Sequence, residues 1–239
     1  MPSPYNLDVH DHCTECTVRK DRLFCNMSDE TMAALEEIKF TSVYPKGSVL
    51  FVEGEQPRGV FILCSGKAKL TTSSSEGKTL IVKIAEPGEV LGASATILGK
   101  AYAISAETLE PSQVNFIKRD DFIRFLNEQA EACMHTVQEL SEKYHCAQHE
   151  IRSLGLSQTT SEKLARLLLD WCARSGEETL GGIRLQVLLT HEEVAQMIGT
   201  TRETVTRLLS DFKRKKIIAV KGASVFILKK GELESIVSI

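Results

Sequence analysis

Long apolar runs are missing from this 239-residue chain: stretches such as Val187-Leu188-Leu189 end far short of the about 18 residues a membrane-spanning helix needs. The positive start and apolar stretch of a secretory leader are missing too, since Asp8, Asp11 and His12 stand in that place, so the cytoplasm is the expected location. The seven cysteines do not pair off evenly, and with no export signal their thiols are expected to be reduced, metal-bound or redox-active rather than locked in disulfides. No Ser/His/Asp or paired-carboxylate arrangement stands out, and Ser73-Ser74-Ser75-Glu76-Gly77 reads as a hairpin turn rather than a phosphate loop, so an enzyme is not expected. What remains is ordinary: 42% hydrophobic and 26% charged residues exclude a mainly disordered chain, and the length suits one large domain or two modest ones.

The net charge of −3 conceals an asymmetry. Thr190 to Lys230 carries nine Lys or Arg against four acids, a local +5 that leaves −8 for the remainder. A basic end on an acidic body suggests a region addressed to a polyanion.

Between Phe40 and Phe116, short apolar runs (Ser48-Val49-Leu50-Phe51-Val52, Val60-Phe61-Ile62-Leu63, Lys67-Ala68-Lys69-Leu70, Leu80-Ile81-Val82-Lys83-Ile84) alternate with Gly-containing breaks. That spacing predicts an antiparallel barrel or jelly roll, with an interior suited to a small ligand. Then Leu126, Ala130, Cys133, Val137, Leu140, Tyr144, Ala147, Ile151 and Leu154 recur at alternating gaps of 4 and 3, with no Gly or Pro until Gly155. This is a heptad seam, better matched to an identical helix of a second subunit than to one small core. Cys133, Cys146 and Cys172 read as packing residues, and His135, His145 and His149 as solvated ones. Ser157 to Ser161 breaks the seam as a hinge and cap for a helix over Glu162–Arg174.

Thr190-His191-Glu192-Glu193 is a capping-box signature that opens a short helix with Val194, Met197 and Ile198 inward, ending at Gly199. Thr201 caps a second helix, from Arg202 to about Lys215, with Val205, Leu208, Leu209 and Phe212 inward. Two helices joined by a short Gly-containing turn make a helix-turn-helix, whose second helix points its first turns at base edges in the major groove. Here those turns present Arg202, Glu203, Thr206 and Arg207. Arg can donate two hydrogen bonds to guanine, and Glu can accept one from cytosine. Lys213 to Lys216 suit phosphates, and Ile217–Val220 with Val225–Leu228 form a hairpin beside them as a wing.

The segment Leu189 to Arg207 closely resembles the DNA-binding signature of the bacterial family named after the cyclic-AMP receptor protein and the fumarate-nitrate reduction regulator, abbreviated Crp/Fnr. Pro45-Lys46-Gly47-Ser48-Val49-Leu50-Phe51 and Phe61-Ile62-Leu63-Cys64-Ser65-Gly66 look like its β-roll segments. The resemblance implies an α+β fold: an N-terminal cyclic-nucleotide-binding-like β-roll (a jelly roll), a long dimerisation helix, then a C-terminal winged helix-turn-helix. The expected divisions are 1–28, 29–118, 119–156 and 157–239. It places Arg202, Glu203 and Arg207 at base-reading positions and Thr190, His191 and Thr201 near phosphates. Arg202-Glu203 followed by Arg207 resembles the branch with TGTGA-like half-sites, whereas Thr206 sits where the oxygen-sensing branch has Ser and reads TTGAT-like ones.

For the signal, the family's nucleotide-binding branch would need a second Glu after Gly88-Glu89-Val90-Leu91-Gly92 and an Arg near Ala101-Tyr102-Ala103, where this chain has Ala93 and no Arg. Lys100 is the nearby cation and does not copy an Arg fork, so cyclic nucleotide is not the expected effector. Cys13 and Cys16, followed by Cys25, suit a soft metal or an iron–sulfur cluster; zinc, a thiol switch and no ligand role are the alternatives. The oxygen-sensing branch holds a cluster by similarly placed cysteines, with a fourth late in the β-roll where this chain has Asn115. Cys64, His10 and His12 are candidates for a fourth ligand, and the sequence does not choose among them.

The expected function is thus a homodimeric, sequence-specific transcription regulator on palindromic promoter sites, answering a redox, oxygen or gas signal through Cys13, Cys16 and Cys25, with RNA polymerase as a partner implied by the resemblance. Two alternatives accompany it: a regulator answering a cyclic nucleotide or other small ligand, and a β-roll ligand-binding module whose C-terminal domain contacts protein rather than DNA.

Overall fold

The computed structural model describes residues 5, 7, 9, 11–16, 19–155, 159–179, 181–187, 189–222 and 224–237, with the side chains of 149–155 left aside. The chain divides into two compact units, Met1–His149 and Glu150–Ile239.

In the first unit a 3-10 turn (Arg19–Asp21) and helix α1 (Asp29–Ile38) precede eight strands: β1 (Lys39–Tyr44), β2 (Val49–Phe51), β3 (Gly59–Ser65), β4 (Ala68–Ser73), β5 (Thr79–Ala85), β6 (Val90–Leu91), β7 (Ser105–Thr108) and β8 (Ser112–Lys118). A short helix α2 (Ala93–Leu98) sits between β6 and β7, and α3 (Arg119–Glu128) and α4 (Ala130–Gly155) follow β8. The strands form two antiparallel four-stranded sheets, β1-β8-β3-β6 and β2-β7-β4-β5, the β-roll that the turn spacing predicts.

β3 explains why its sequence does not alternate. Phe61 and Leu63 face the roll interior with Leu50, Phe51 and Val114, while Val60 and Ile62 pack on the outer face against Met32 and Leu35 of α1 and Phe122 and Phe125 of α3. A strand covered on both faces reads as an unbroken apolar run. Its pairing with β8 slips between Leu63 and Ser65, so Cys64 is the extra residue of a β-bulge.

The heptad expectation needs a correction. Residues 119–156 do not form one helix: Gln129 is extended (φ −114°, ψ 93°), so Leu126 belongs to α3. Leu126 and Leu140 pack against the outer-face core, while Cys133, Val137 and Tyr144 are exposed, the last two at 51% and 64%. A single chain uses a different face of α4 for its own packing, through Ala132, Thr136 and Glu139. Cys133 and Cys146 are likewise exposed rather than packed. Ile151, Leu154 and His149 lie outside the described side chains. At about 1.5 Å per residue, the 26 residues of α4 run about 39 Å.

The second unit comprises α5 (Thr160–Ser175), β9 (Glu177–Thr179), β10 (Gly182–Gln186), α6 (His191–Ile198), α7 (Arg202–Arg214), β11 (Ile218–Lys221), β12 (Ser224–Ile227) and α8 (Lys230–Val237). Leu164, Leu168, Val194, Val205, Phe212 and Ile217 form its core. Thr159 caps α5 through a complete capping box with Glu162, inside the expected hinge; Ser157 and Gln158 lie outside the described residues. The wing is larger than the expected hairpin: the order β11-β12-β10-β9 adds a second hairpin around Gly181-Gly182. Gly182 has φ 111°, and a Cβ there would lie 2.3 Å from the Ile227 carbonyl oxygen, so only glycine admits that close pairing. Among the described residues no helix is long and apolar enough to cross a membrane.

Candidate functional site

Two sites emerge, one in each unit. The first is built by local chemistry at the ends of α6 and α7. Thr190 accepts a hydrogen bond from the Glu193 N–H (3.2 Å), and Glu193 returns by accepting from the Thr190 N–H (2.9 Å). α6 ends at Gly199 in the left-handed region (φ 67°), and Thr201 starts α7 by accepting from the Thr204 N–H (3.3 Å). Buried Val194, Ala195 and Ile198 then hold α6 against Val205 and Phe212 of α7.

This packing leaves Arg202, Glu203, Thr206 and Arg207 exposed on the opposite side of α7, together with Thr190, His191 and Thr201 at the two helix starts. Neither Arg202 nor Arg207 is engaged in an ion pair among the described residues. The Glu203 carboxyl is held below its ordinary range by its own backbone N–H and by Thr201, so it stays an acceptor at neutral pH. Thr206 is tied down more than sequence spacing suggests. Its hydroxyl donates to the Arg202 carbonyl (2.9 Å) and lies within hydrogen-bond distance of His191 Nδ1 (3.0 Å). This contact joins the start of α6 to the front of α7.

At the rear of α7, Asp211 pairs with Arg214 and with Lys215 (3.0 Å), and the Lys215 ammonium holds the Asp211 carboxyl below its usual range. Lys213 and Lys216 have no ion pair among the described residues. The helix closes with Ile217 N–H donating to Phe212 O (2.9 Å) and Lys216 N–H to Lys213 O (3.0 Å), which puts Lys216 at φ 56°, a conformation that favours glycine.

The second site lies on the outer face of the β1-β8-β3-β6 sheet. Cys13, Cys16 and Cys25 line one cavity together with Cys64 and Asn115. The loop is wound by consecutive turns, Cys16 N–H to Cys13 O and Arg19 N–H to Cys16 O, and fastened by Thr14 N–H to Glu36 Oε1 (2.9 Å). Arg19 is also paired with Asp29. Asn115 Nδ2 donates to Cys13 Sγ (3.6 Å), while its Oδ1 accepts from the Thr41 hydroxyl (2.8 Å). Arg19 and Arg22 line the same cavity, and Arg19 Nη1 and Arg22 Nε are buried with no hydrogen-bond partner among the described residues. Sequence reasoning missed both arginines.

Burial pushes the Cys25 thiol up to about 12, with Cys13 and Cys16 adding to the shift. Cys13 and Cys64 are raised for the same leading reason. Of the other fourth-ligand candidates, His12 lines the cavity rim with its side chain 64% exposed, 3.6 Å from Glu36, and His10 lies outside the described residues. Among the described residues no three His, Cys, Asp or Glu gather closely enough to hold a single metal ion.

At the family's nucleotide positions the side chains are engaged within the protein. Glu89 is engaged by Lys83 (2.5 Å) and by the Glu86 N–H (3.0 Å). Tyr102 stacks on Phe51 (4.3 Å) and donates to the Gly59 carbonyl (2.7 Å).

A β-roll followed by a winged helix-turn-helix with a bare, polar recognition face defines a DNA-binding transcription regulator. Residues 41–129 match the cyclic nucleotide-binding domain family, and residues 162–236 match the Crp-like helix-turn-helix domain family. The chain belongs to the Crp/Fnr family of regulators. It is 26% identical over 205 residues to the CRP-like cAMP-activated global transcriptional regulator of Mycobacterium tuberculosis, covering 86% of this chain and 91% of that one. Identity is also 26% over 226 residues with the transcriptional activator protein anr of Pseudomonas aeruginosa, covering 93% and 91%. The structure of FixK2 from Bradyrhizobium japonicum shares the fold, with a TM-score of 0.72 at 20% identity over 83% of this chain and 97% of that one. These relatives are transcription regulators rather than enzymes, and the protein-contact alternative for the C-terminal domain is set aside.

Proposed function

We propose that the protein acts as a homodimer on palindromic promoter sites and that its DNA affinity answers a redox, oxygen or gas signal through a metal group bound at the N-terminal cysteines. The observation that carries this reading is the gathering of Cys13, Cys16 and Cys25, far from the recognition helix in sequence, around one cavity on the sensor unit. The residues fit a thiolate-bound group: soft donors line the recess, and two buried guanidinium nitrogens there lack partners. An iron–sulfur cluster, when bound, supplies a redox centre tuned by charge, exposure and hydrogen bonds to its sulfurs.

The chain's own residues supply a route outward. Gly88 lines the cavity and its backbone packs on Arg22, where an added Cβ would come within 2.7 Å. Two residues on, the Val90 N–H donates to Glu139 (3.0 Å) and the Val90 carbonyl accepts from Lys143 (2.9 Å), while Lys143 and Glu139 pair at 2.6 Å. The inner face of α4 is thereby fastened to the strand segment that leads from the cavity. Its outer face, with exposed Cys133, Met134, Val137 and Tyr144, supports pairing with a second copy. A bound group shifts DNA affinity only by its differential affinity for the DNA-competent dimer. Relatives named as transcriptional activators support contact with RNA polymerase. Cyclic nucleotide is not the effector proposed, because Glu89 and Tyr102 are engaged within the protein.

The test is duplex binding by the full chain, prepared anaerobically and after exposure to air. Expected are a dimer by sedimentation, preference for inverted repeats whose half-sites lie about 34–36 Å apart, and affinity that falls steeply with salt. A monomer that shows no preference for inverted repeats in either state contradicts the proposal.

A further inference from the structure

We propose that Cys64 supplies the fourth thiolate of an iron–sulfur cluster held by Cys13, Cys16 and Cys25, with Arg19 and Arg22 offsetting the charge of the group. This rests on the metal-sensor reading above and deepens it. Cys64 shares the cavity with the other three thiols although it lies 39 positions after Cys25. Its strand is the reason. Ile62 of β3 lies opposite Asn115 of β8, and Ile62 packs on the outer face among Cys13 and Cys25. Residues two apart along a strand share a face, and the bulge between Leu63 and Ser65 re-aims the residue within it. β8 meanwhile offers Asn115, whose amide already donates to Cys13 Sγ (3.6 Å). The fourth thiol therefore comes from β3, and β8 supplies an amide that positions the first.

A further observation concerns charge: two arginines line the same recess as the four thiols. The buried, unpartnered Arg19 Nη1 and Arg22 Nε then face an anionic occupant. Bare guanidinium nitrogens buried without one are costly.

The test is anaerobic purification of the full chain as wild type, Cys13→Ser, Cys64→Ser and Cys172→Ser, with iron, acid-labile sulfide, zinc and visible absorbance measured on each. Wild type and Cys172→Ser are expected to carry iron and sulfide in equal amounts, and Cys13→Ser and Cys64→Ser to lose most of both. Circular dichroism checks each fold. On the wild type itself, native alkylation with mass mapping gives an independent measure: Cys64 protected as purified, and modified after anaerobic chelation. Arg22→Gln should move the midpoint potential to a more negative value, because it removes a positive charge. Cys64→Ser with full iron and sulfide, or Cys64 alkylated equally before and after chelation, overturns the fourth-ligand assignment while leaving the sensor reading intact. Zinc without sulfide overturns the cluster. A wild type free of any metal overturns the sensor reading as well.

Discussion

The recognition helix and the thiol cavity are built on opposite terms. At the recognition helix the chain completes itself: Thr190 with Glu193 and Thr201 with Thr204 close the helix starts, and Arg202 and Arg207 are left exposed without ion pairs for a ligand outside. At the cavity four partly buried thiols and two arginines line one recess, and Arg19 Nη1 and Arg22 Nε have no hydrogen-bond partner among the described residues. One surface offers charge to a polyanion; the other gathers soft donors in a recess. On the proposed function, the first reads DNA and the second holds the sensing group.

The largest effect that separates the two is expected from Arg202→Ala. It should relax preference at one base pair of each half-site by about 1–3 kcal/mol, measured with singly substituted duplexes, and leave iron content unchanged. Unchanged discrimination at every position would remove Arg202 from the reading role.

Glu139→Ala probes the connection between the regions. It leaves the Val90 N–H without its acceptor in a buried setting, so unfolding in urea should show a loss of about 1–3 kcal/mol. The same variant should bind DNA with less difference between its two redox states. A full wild-type difference would break the route through α4.

Lys216→Gly is a smaller, two-sided probe. Glycine relieves the left-handed backbone at φ 56°, which should raise stability by about 1 kcal/mol. If Lys216 touches a phosphate, the slope of log affinity against log salt should fall by about 0.9. Stability without that slope change would confine the contact to the other lysines.

The smallest effect concerns pH. The Ser28 N–H donates to Glu131 (2.9 Å) and holds its carboxyl below the ordinary range. A lowered folded-state pKa adds stability at neutral pH that fades as pH falls through it. Glu131→Gln should therefore flatten the acid limb of the stability profile slightly, and an unchanged profile would contradict the assignment.

What the sequence revealed follows the same division. The helix-turn-helix was legible because its signals sit within a few positions of one another: Thr190 and Glu193, Gly199, Thr201 and the apolar faces of both helices. At the cavity the sequence named Cys13, Cys16 and Cys25, offered Cys64 as one of three fourth-ligand candidates without choosing it, and missed Arg19 and Arg22. Cys64 and Asn115 join the cavity through the β3–β8 register, and Arg19 and Arg22 through a loop that turns back on the roll, neither of which spacing along the chain can express. The heptad seam misled at Leu126 and Leu140 for a related reason. A 3,4 repeat fixes a stripe on a helix but not where a backbone break at Gln129 ends one helix and begins another.

The central claim is that occupancy of the thiol cavity governs DNA affinity. The most direct measurement is the Kd for one palindromic duplex at fixed salt, taken on a single anaerobic preparation before and after its metal is removed by a chelator. The account predicts a change of about 5–150-fold, the usual span of coupling between two sites. Equal affinities in the loaded and stripped protein would contradict it.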